Sequence, residues 1–367
     1  MPQYYNDVAV LAFPKVNEKV IKDIASIVNL TEVLEKNGRL TWYIPEGEWV
    51  ILRFVCTNTG QMMIIPSPNS NGYFIDFLDP EATKMHMEYI IGKLLERLGS
   101  FEGTAFGYLE VDSMELQEGN PWTGNFLREF INRRGYDPLL YLPVLAGWSV
   151  NDKDISTRFL YDYKKTISDL LIFSHYTTGS KVLEKYGLEL VAEAGGPGPP
   201  VWDSCPVDAL KALGQVHVPR GEFWIRHRNL FLIKEVSSAA HIYGKKYVDA
   251  ESFTTWRRWM DSPFELKRIA DRALCEGLNR FTFHTFSHTP PEFGLPGPAY
   301  HAGVDINTNA TWWQKAKPFI NYLARCSYML QQGLFVGDVC YYYGDKAPNF
   351  YPPYHNVLDS QKFSLPD

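Results

Sequence analysis

Four short stretches of this chain end an apolar, strand-like run on a side chain able to do acid–base or ligand chemistry. "YLEVDSMEL" carries Asp112 and Glu115, "LVAEAGG" carries Glu193, "KKYVDAES" carries Asp249 and Glu251, and "FTFHTFSH" carries His284 and His288. Paired carboxylates suit hydrolysis at a glycosidic carbon, where one acid protonates the leaving oxygen and one carboxylate activates water or attacks the sugar. The acid needs its pKa raised, and Met114, Trp122, Phe253 and Trp256 are the apolar residues nearest in sequence that can do this.

Strand alternation narrows the roles. In "KKYVDAES" Tyr247, Asp249 and Glu251 share one face, and Val248 and Ala250 the other. With the acidic face inward, Glu251 stands at the rim of the sheet and Asp249 one layer below. Each residue also has a plainer reading. Glu251 can cap the next loop by accepting backbone N–H bonds, and Asp249 reads best as the buried partner of an arginine. Asp112 can bind and orient while Glu115 leans over the substrate from the loop, and the plainer reading of Glu115 is a solvent-facing loop residue. Glu193 can be a salt-bridge partner, although the "AGGPGPP" that follows allows close backbone approach to a ligand. His284 and His288, four apart, resemble metal ligands on one strand face. Without an HxH or HExxH companion they are better read as hydrogen-bonding groups for substrate hydroxyls.

Strands and helices must hold these residues in place. "YFIDFL" is expected to be a strand, followed by a helix over "DPEATKMHMEYIIGKLLERLG" with Asp79 as N-cap, Pro80 at the first helical position and Gly99 as the stop. "TAFGYLEVDS" reads as a strand and "PWTGNFLREFINRRG" as a helix, with a long helical stretch over 157–187. "LELVAEAGG" follows, and "VPRGEFW" is a short strand at best. Helices over "RNLFLIKEVSSAAHIYG", "SPFELKRIADRALCEG" and about 311–332 alternate with strands "KKYVDAES" and "NRFTFHTFSH". Before residue 70, two apolar runs split by Pro45-Glu46-Gly47-Glu48 read as a hairpin.

Alternating strands and helices imply a parallel sheet with right-handed crossovers. No glycine-rich phosphate turn follows an early strand, so a (β/α)8 barrel is a better fit than an open doubly wound sheet. Five or six of its eight strands are countable, which makes the barrel incomplete in this chain. The expected organisation is a β-rich segment over 1–70, the barrel portion over 71–332, and the start of a further β-rich module over 333–367.

Composition limits the partners. The 367-residue chain has a net charge of −6 and no dense Lys/Arg block, so nucleic acid and anionic membrane are not expected. No apolar run is long enough for membrane insertion, and the start lacks the pattern of a signal peptide. The five cysteines are scattered without CxxC or CxxH spacing, which excludes a zinc knuckle or a disulfide scaffold. An aromatic share of 15% fits either a carbohydrate-stacking site or a large aromatic core.

Taken together, "GRLTWYIPEGEWVILRF", "VDSMEL", "PWTGNFLREFINRRGYDPLLYLPVLAG", "VPRGEFW", "DAESFT", "RFTFHTFSHTP" and "NATWW" resemble the α-L-rhamnosidases of glycoside hydrolase family 106 over nearly the whole chain. The resemblance implies a catalytic (β/α)8 barrel within a longer protein. It also implies inverting, calcium-assisted hydrolysis of a rhamnoside, and a bacterial role in plant polysaccharide degradation with periplasmic or extracellular location. By motif, Glu115 matches the general acid and Glu251 the general base. Asp112 and Glu193 fall where calcium ligands are expected, and Trp256, His284 and His288 are expected to line the sugar site. Arg257 and Arg258 keep a uronic acid open as the substrate. The residues also leave open a different deoxy sugar, a zinc hydrolase using the two histidines, and a non-catalytic carbohydrate-binding remnant.

Overall fold

The structure, a computed structural model, describes residues 4–63, 66–114, 116, 119–194, 207–227, 230–342 and 344–347. Its strands are β1 (Tyr5–Pro14), β2 (Val20–Ile21), β3 (Val28–Asn29), β4 (Trp49–Thr57), β5 (Tyr108–Val111), β6 (Ser149–Val150), β7 (Glu189–Glu193), β8 (Val218–Trp224), β9 (Asp249–Thr254) and β10 (Arg280–Phe283). The α-helices are α1 (Pro80–Leu98), α2 (Phe126–Arg134), α3 (Lys153–Leu171), α4 (Thr178–Glu184), α5 (Ala209–Gln215), α6 (Phe231–Ile242), α7 (Pro263–Cys275) and α8 (Lys317–Leu330). The chain forms two compact units interleaved in sequence: Met1–His86 with Gln117–His175, and Met87–Leu116 with Tyr176–Asp367. The expected boundary at residue 70 thus falls within the first unit.

In the first unit β1 is central, antiparallel to both β3 and β4. The expected hairpin around Pro45 does not form. β4 pairs with β1, from Tyr5 opposite Thr57 to Pro14 opposite Trp49, and the run before Pro45 contributes only an isolated bridge between Leu34 and Leu40. "YFIDFL" is likewise no strand, since only Tyr73 bridges, to Met62. Much of the aromatic content is core here. Phe126 lies 4.2 Å from Trp122 and 5.4 Å from Tyr163, and Phe159 stacks on Tyr141 at 5.5 Å.

The helix signals were legible. Asp79 Oδ1 accepts the Glu81 N–H at 3.0 Å, and Gly99, at φ 74°, closes α1 by donating to Leu95 O at 2.8 Å. Asp152 caps α3 through the Ile155 N–H at 2.8 Å. The long stretch expected over 157–187 divides into α3, a π-helical segment Ile172–Thr177, and α4. No helix of the described residues is long and apolar enough to cross a membrane.

The second unit holds the feature that positions the site, a curled five-stranded parallel sheet in the order β10-β9-β8-β7-β5. Strand order follows chain order with no reversal, the arrangement of a barrel arc and not of a doubly wound sheet. It is a half-barrel, with five strands of the expected eight among the described residues. "VPRGEFW" is a seven-residue central strand despite its proline and glycine. Gly221 explains why: a Cβ there would lie 2.8 Å from Val236 Cγ2 and 3.2 Å from Leu232 O, so α6 packs directly on the β8 backbone. Outward-facing Phe223, Ala250 and Phe253 form one core with Ile233 and Val236 of α6, Leu266 and Ala270 of α7, and Phe319 of α8. Residues 333–342 and 344–347 form no strand, and the remainder of the tail lies outside the described residues.

Candidate active site

Parallel register stacks the inward side chains in layers. Glu193, Arg220, Asp249 and Arg280 are successive partners across β7, β8, β9 and β10. The next layer toward the carboxyl ends aligns Glu222, Glu251 and Thr282. Asp112 follows immediately on β5.

The lower layer is a closed ionic network. Arg220, 4% exposed, donates to Asp249 Oδ2 through Nη2 at 2.8 Å and Nε at 3.2 Å, to Thr282 Oγ1 at 3.1 Å, and to Glu110. Asp249, fully buried, also accepts from Thr282 Oγ1 at 3.0 Å and the Ala250 N–H at 2.8 Å. Asp249 is therefore the buried arginine partner that alternation favoured. The Arg280 guanidinium lies over the Tyr108 ring at 4.7 Å and 3.7 Å from Asp249.

Beside these ion pairs Asp112, Glu193 of the same layer and Glu251 of the next converge. One carboxylate oxygen from each lies within 4.8 Å of the others. Glu193 is 4% exposed and its Oε1 has no hydrogen-bond partner among the described residues. Burial, with the nearby charges of Glu222, Asp112, Glu251 and Asp249, pushes its pKa well above the ordinary carboxylate value. Such a group needs a proton or a cation. Three hard oxygen donors, one of them orphaned and buried, fit a calcium-type ion rather than a soft metal.

Glu251 is held differently. Burial opposes its charge, but hydrogen bonds from His284 and Thr254 and the charge of Arg220 outweigh that, and its pKa is lowered. Its Oε1 accepts from Thr254 Oγ1 at 3.0 Å and from His284 Nδ1 at 3.0 Å. His284 is opposed by burial, yet the hydrogen bond and charge of Glu251, with Glu222 and Asp112 behind it, raise its pKa. The site thus holds one carboxyl driven toward protonation and one kept ionised.

His284 follows β10 directly, but His288 does not share its strand face. The strand ends at Phe283, and His288 is exposed on the following loop. Neither histidine joins the cluster of possible metal ligands. Trp256 is 56% exposed and meets Trp224 edge-on at 4.7 Å. Phe253 does not surround the site: it is fully buried in the outer core, stacked on Phe281 at 5.8 Å. Trp122 belongs to the aromatic core of the first unit. Glu115, matched to the general acid, lies outside the described residues.

Two site residues escaped the reading of the sequence. Glu222 is 5% exposed, accepts from Trp224 Nε1, and sits beside Glu251 in the register. The alternation of Arg220, Glu222 and Trp224 was the available signal. Thr254 is the other, and only a backbone irregularity brings it in.

Comparison with known proteins agrees with this geometry. The family model described as alpha-L-rhamnosidase, glycoside hydrolase family 106, matches residues 1–358. The chain belongs to glycoside hydrolase family 106. A solved rhamnosidase structure from Novosphingobium sp. PP1Y superposes with a TM-score of 0.78 at 32% identity, covering 91% of this chain and 32% of that one. A Formosa agariphila protein carrying the name "Putative beta-glucuronidase" is 37% identical over 378 residues, 94% of this chain and 32% of its own length. This family 106 chain therefore spans about a third of each relative.

Proposed function

We propose that this chain carries the acidic centre of an inverting α-L-rhamnosidase assisted by calcium. The observation that carries the reading is the convergence of Asp112, Glu193 and Glu251, with the Glu193 Oε1 buried and unpartnered among the described residues. Asp112 and Glu193 would hold the ion, and a bound calcium would supply positive charge for sugar hydroxyls and neutralise the cluster. Glu251, kept ionised by His284 and Thr254, accepts a proton from the attacking water. Inversion requires the opposing acid roughly 6.5–9.5 Å away, leaving space for that water. Glu115 is assigned that role by motif. Trp256, exposed and braced by Trp224, offers an apolar face for the sugar ring.

A β-glucuronide is the second reading, favoured by the name of the Formosa relative. Against it, the described inner face carries Asp112, Glu193, Glu222 and Glu251, while Arg220 is committed to Asp249 and Glu110 and Arg280 lies 3.7 Å from Asp249 over the Tyr108 ring. A uronate would meet like charge. The test is release of p-nitrophenol from the α-L-rhamnoside and from the β-D-glucuronide, each with calcium and with chelator. Calcium-dependent release from the rhamnoside alone supports the first reading, and preference for the glucuronide overturns it.

A further inference from the structure

In a straight strand, side chains three apart point to opposite faces. Glu251 and Thr254 are three apart, yet Thr254 Oγ1 lies 3.0 Å from Glu251 Oε1. The register supplies the reason. Phe223 pairs with Ser252, but Trp224 pairs with Thr254, so β9 carries one extra residue, Phe253, between them. Phe253 takes φ 77°, a conformation uncommon for a bulky side chain, and its ring turns outward into the core against Phe223 and Phe281. Had β9 run straight, Phe253 would have faced inward beside Glu251 and Thr254 away from it.

The hydrogens can be counted. The Thr254 hydroxyl has one proton, which it donates to Glu251 Oε1. His284 Nδ1 lies 2.9 Å from Thr254 Oγ1 and 3.0 Å from Glu251 Oε1, so a single Nδ1–H is shared between the two acceptors. Both donors converge on the same oxygen. The loop behind His284 is seated as tightly: a Cβ on Gly303, at φ 97°, would lie 2.9 Å from the His284 carbonyl.

We propose that Thr254, delivered to the inner face by the bulge at Phe253, is a positioning residue that together with His284 locks the Glu251 carboxylate in its working orientation. This rests on the reading of Glu251 as the water-activating group. Losing a hydrogen bond to a charged group then costs rate, not binding. Thr254→Val keeps the shape and removes the hydroxyl, and kcat for the rhamnoside is expected to fall about tenfold with KM unchanged. Thr254→Ser should restore most of it, because the donor returns without the methyl group.

A high-resolution crystal structure of Thr254→Val, or of Thr254→Ala should the valine variant fold poorly, gives a readout independent of activity. The Glu251 carboxylate is expected in more than one rotamer. Unchanged kcat in Thr254→Val, failure of the serine variant to recover, or a single unmoved Glu251 rotamer would each overturn the clamp. If the unmodified enzyme ignores the rhamnoside, the substrate reading fails separately, and the rotamer result still decides the clamp.

Discussion

Replacing Arg220 by methionine removes the cation beneath the acidic centre while keeping much of its volume. Arg220 and Asp249 are 4% and 0% exposed, with Nη2 to Oδ2 at 2.8 Å. At an effective dielectric of 20 the gross attraction is about 6 kcal/mol, most of it offset by desolvating two ions. Breaking such a pair from one side typically costs about 3–5 kcal/mol, because the remaining charge stays buried. Asp249 would keep the Thr282 hydroxyl at 3.0 Å and Arg280 at 3.7 Å, which points to the lower end, about 3 kcal/mol. Urea unfolding followed by circular dichroism measures this directly. With a slope of about 2–3 kcal/mol per molar, the midpoint should fall by about 1–1.5 M. Arg220→Met combined with Asp249→Asn should recover part of the loss, since the charges left without a partner, Glu110 and Arg280, have side chains 49% and 28% exposed. A midpoint shift under about 0.3 M in the single variant, or a double variant no better than the single, would refute the ionic floor.

Two further outcomes are expected. His175 is 4% exposed, stacked edge-on against Phe77 at 4.9 Å, and burial with the neighbouring His86 lowers its pKa to about 4. The unfolded chain takes up that proton near pH 6.5. Stability is therefore fully present above pH 6.5 and falls by about 3 kcal/mol as the pH drops to 4. Comparing urea midpoints of the protein and His175→Leu across that window should show a flatter slope in the variant, and equal slopes would contradict the assignment. Glu193→Gln neutralises a buried carboxylate whose Oε1 has no hydrogen-bond partner among the described residues. In melting scans without added metal the variant should match or exceed the parent. Excess calcium should stabilise the parent by about 3 kcal/mol at a hundred times the dissociation constant, and the variant far less. Equal calcium shifts in both would remove Glu193 from the ligand set.

What could be read from the sequence follows physical range. Helix ends are written locally, in Asp79, Pro80 and Gly99, and the structure has them there, whereas α3 starts at Lys153 under an Asp152 cap, ahead of the stretch expected from 157. The acids at strand ends were legible because strand alternation has a fixed period. The partner of β4 was not, because β1 lies some forty residues upstream and a nearby turn signal at Pro45 was the stronger local cue. Glu222 was hidden by the proline and glycine of "VPRGEFW", which argue against a strand until the close approach of α6 at Gly221 is known. Thr254 was unreadable for a different reason: alternation places it on the wrong face, and only the bulge at Phe253 reverses that. The aromatic richness was ambiguous in composition, and many of those rings are core in the first unit.

The most direct measurement is the rate of p-nitrophenyl α-L-rhamnoside hydrolysis by the calcium-loaded protein and by Glu251→Gln, with folding of both checked by circular dichroism. A water-activating carboxylate contributes about 10²–10⁴-fold, so the variant should lose at least a hundredfold in kcat while still binding calcium. Hydrolysis by Glu251→Gln at the parental rate would contradict the role of Glu251 at the rim of β9.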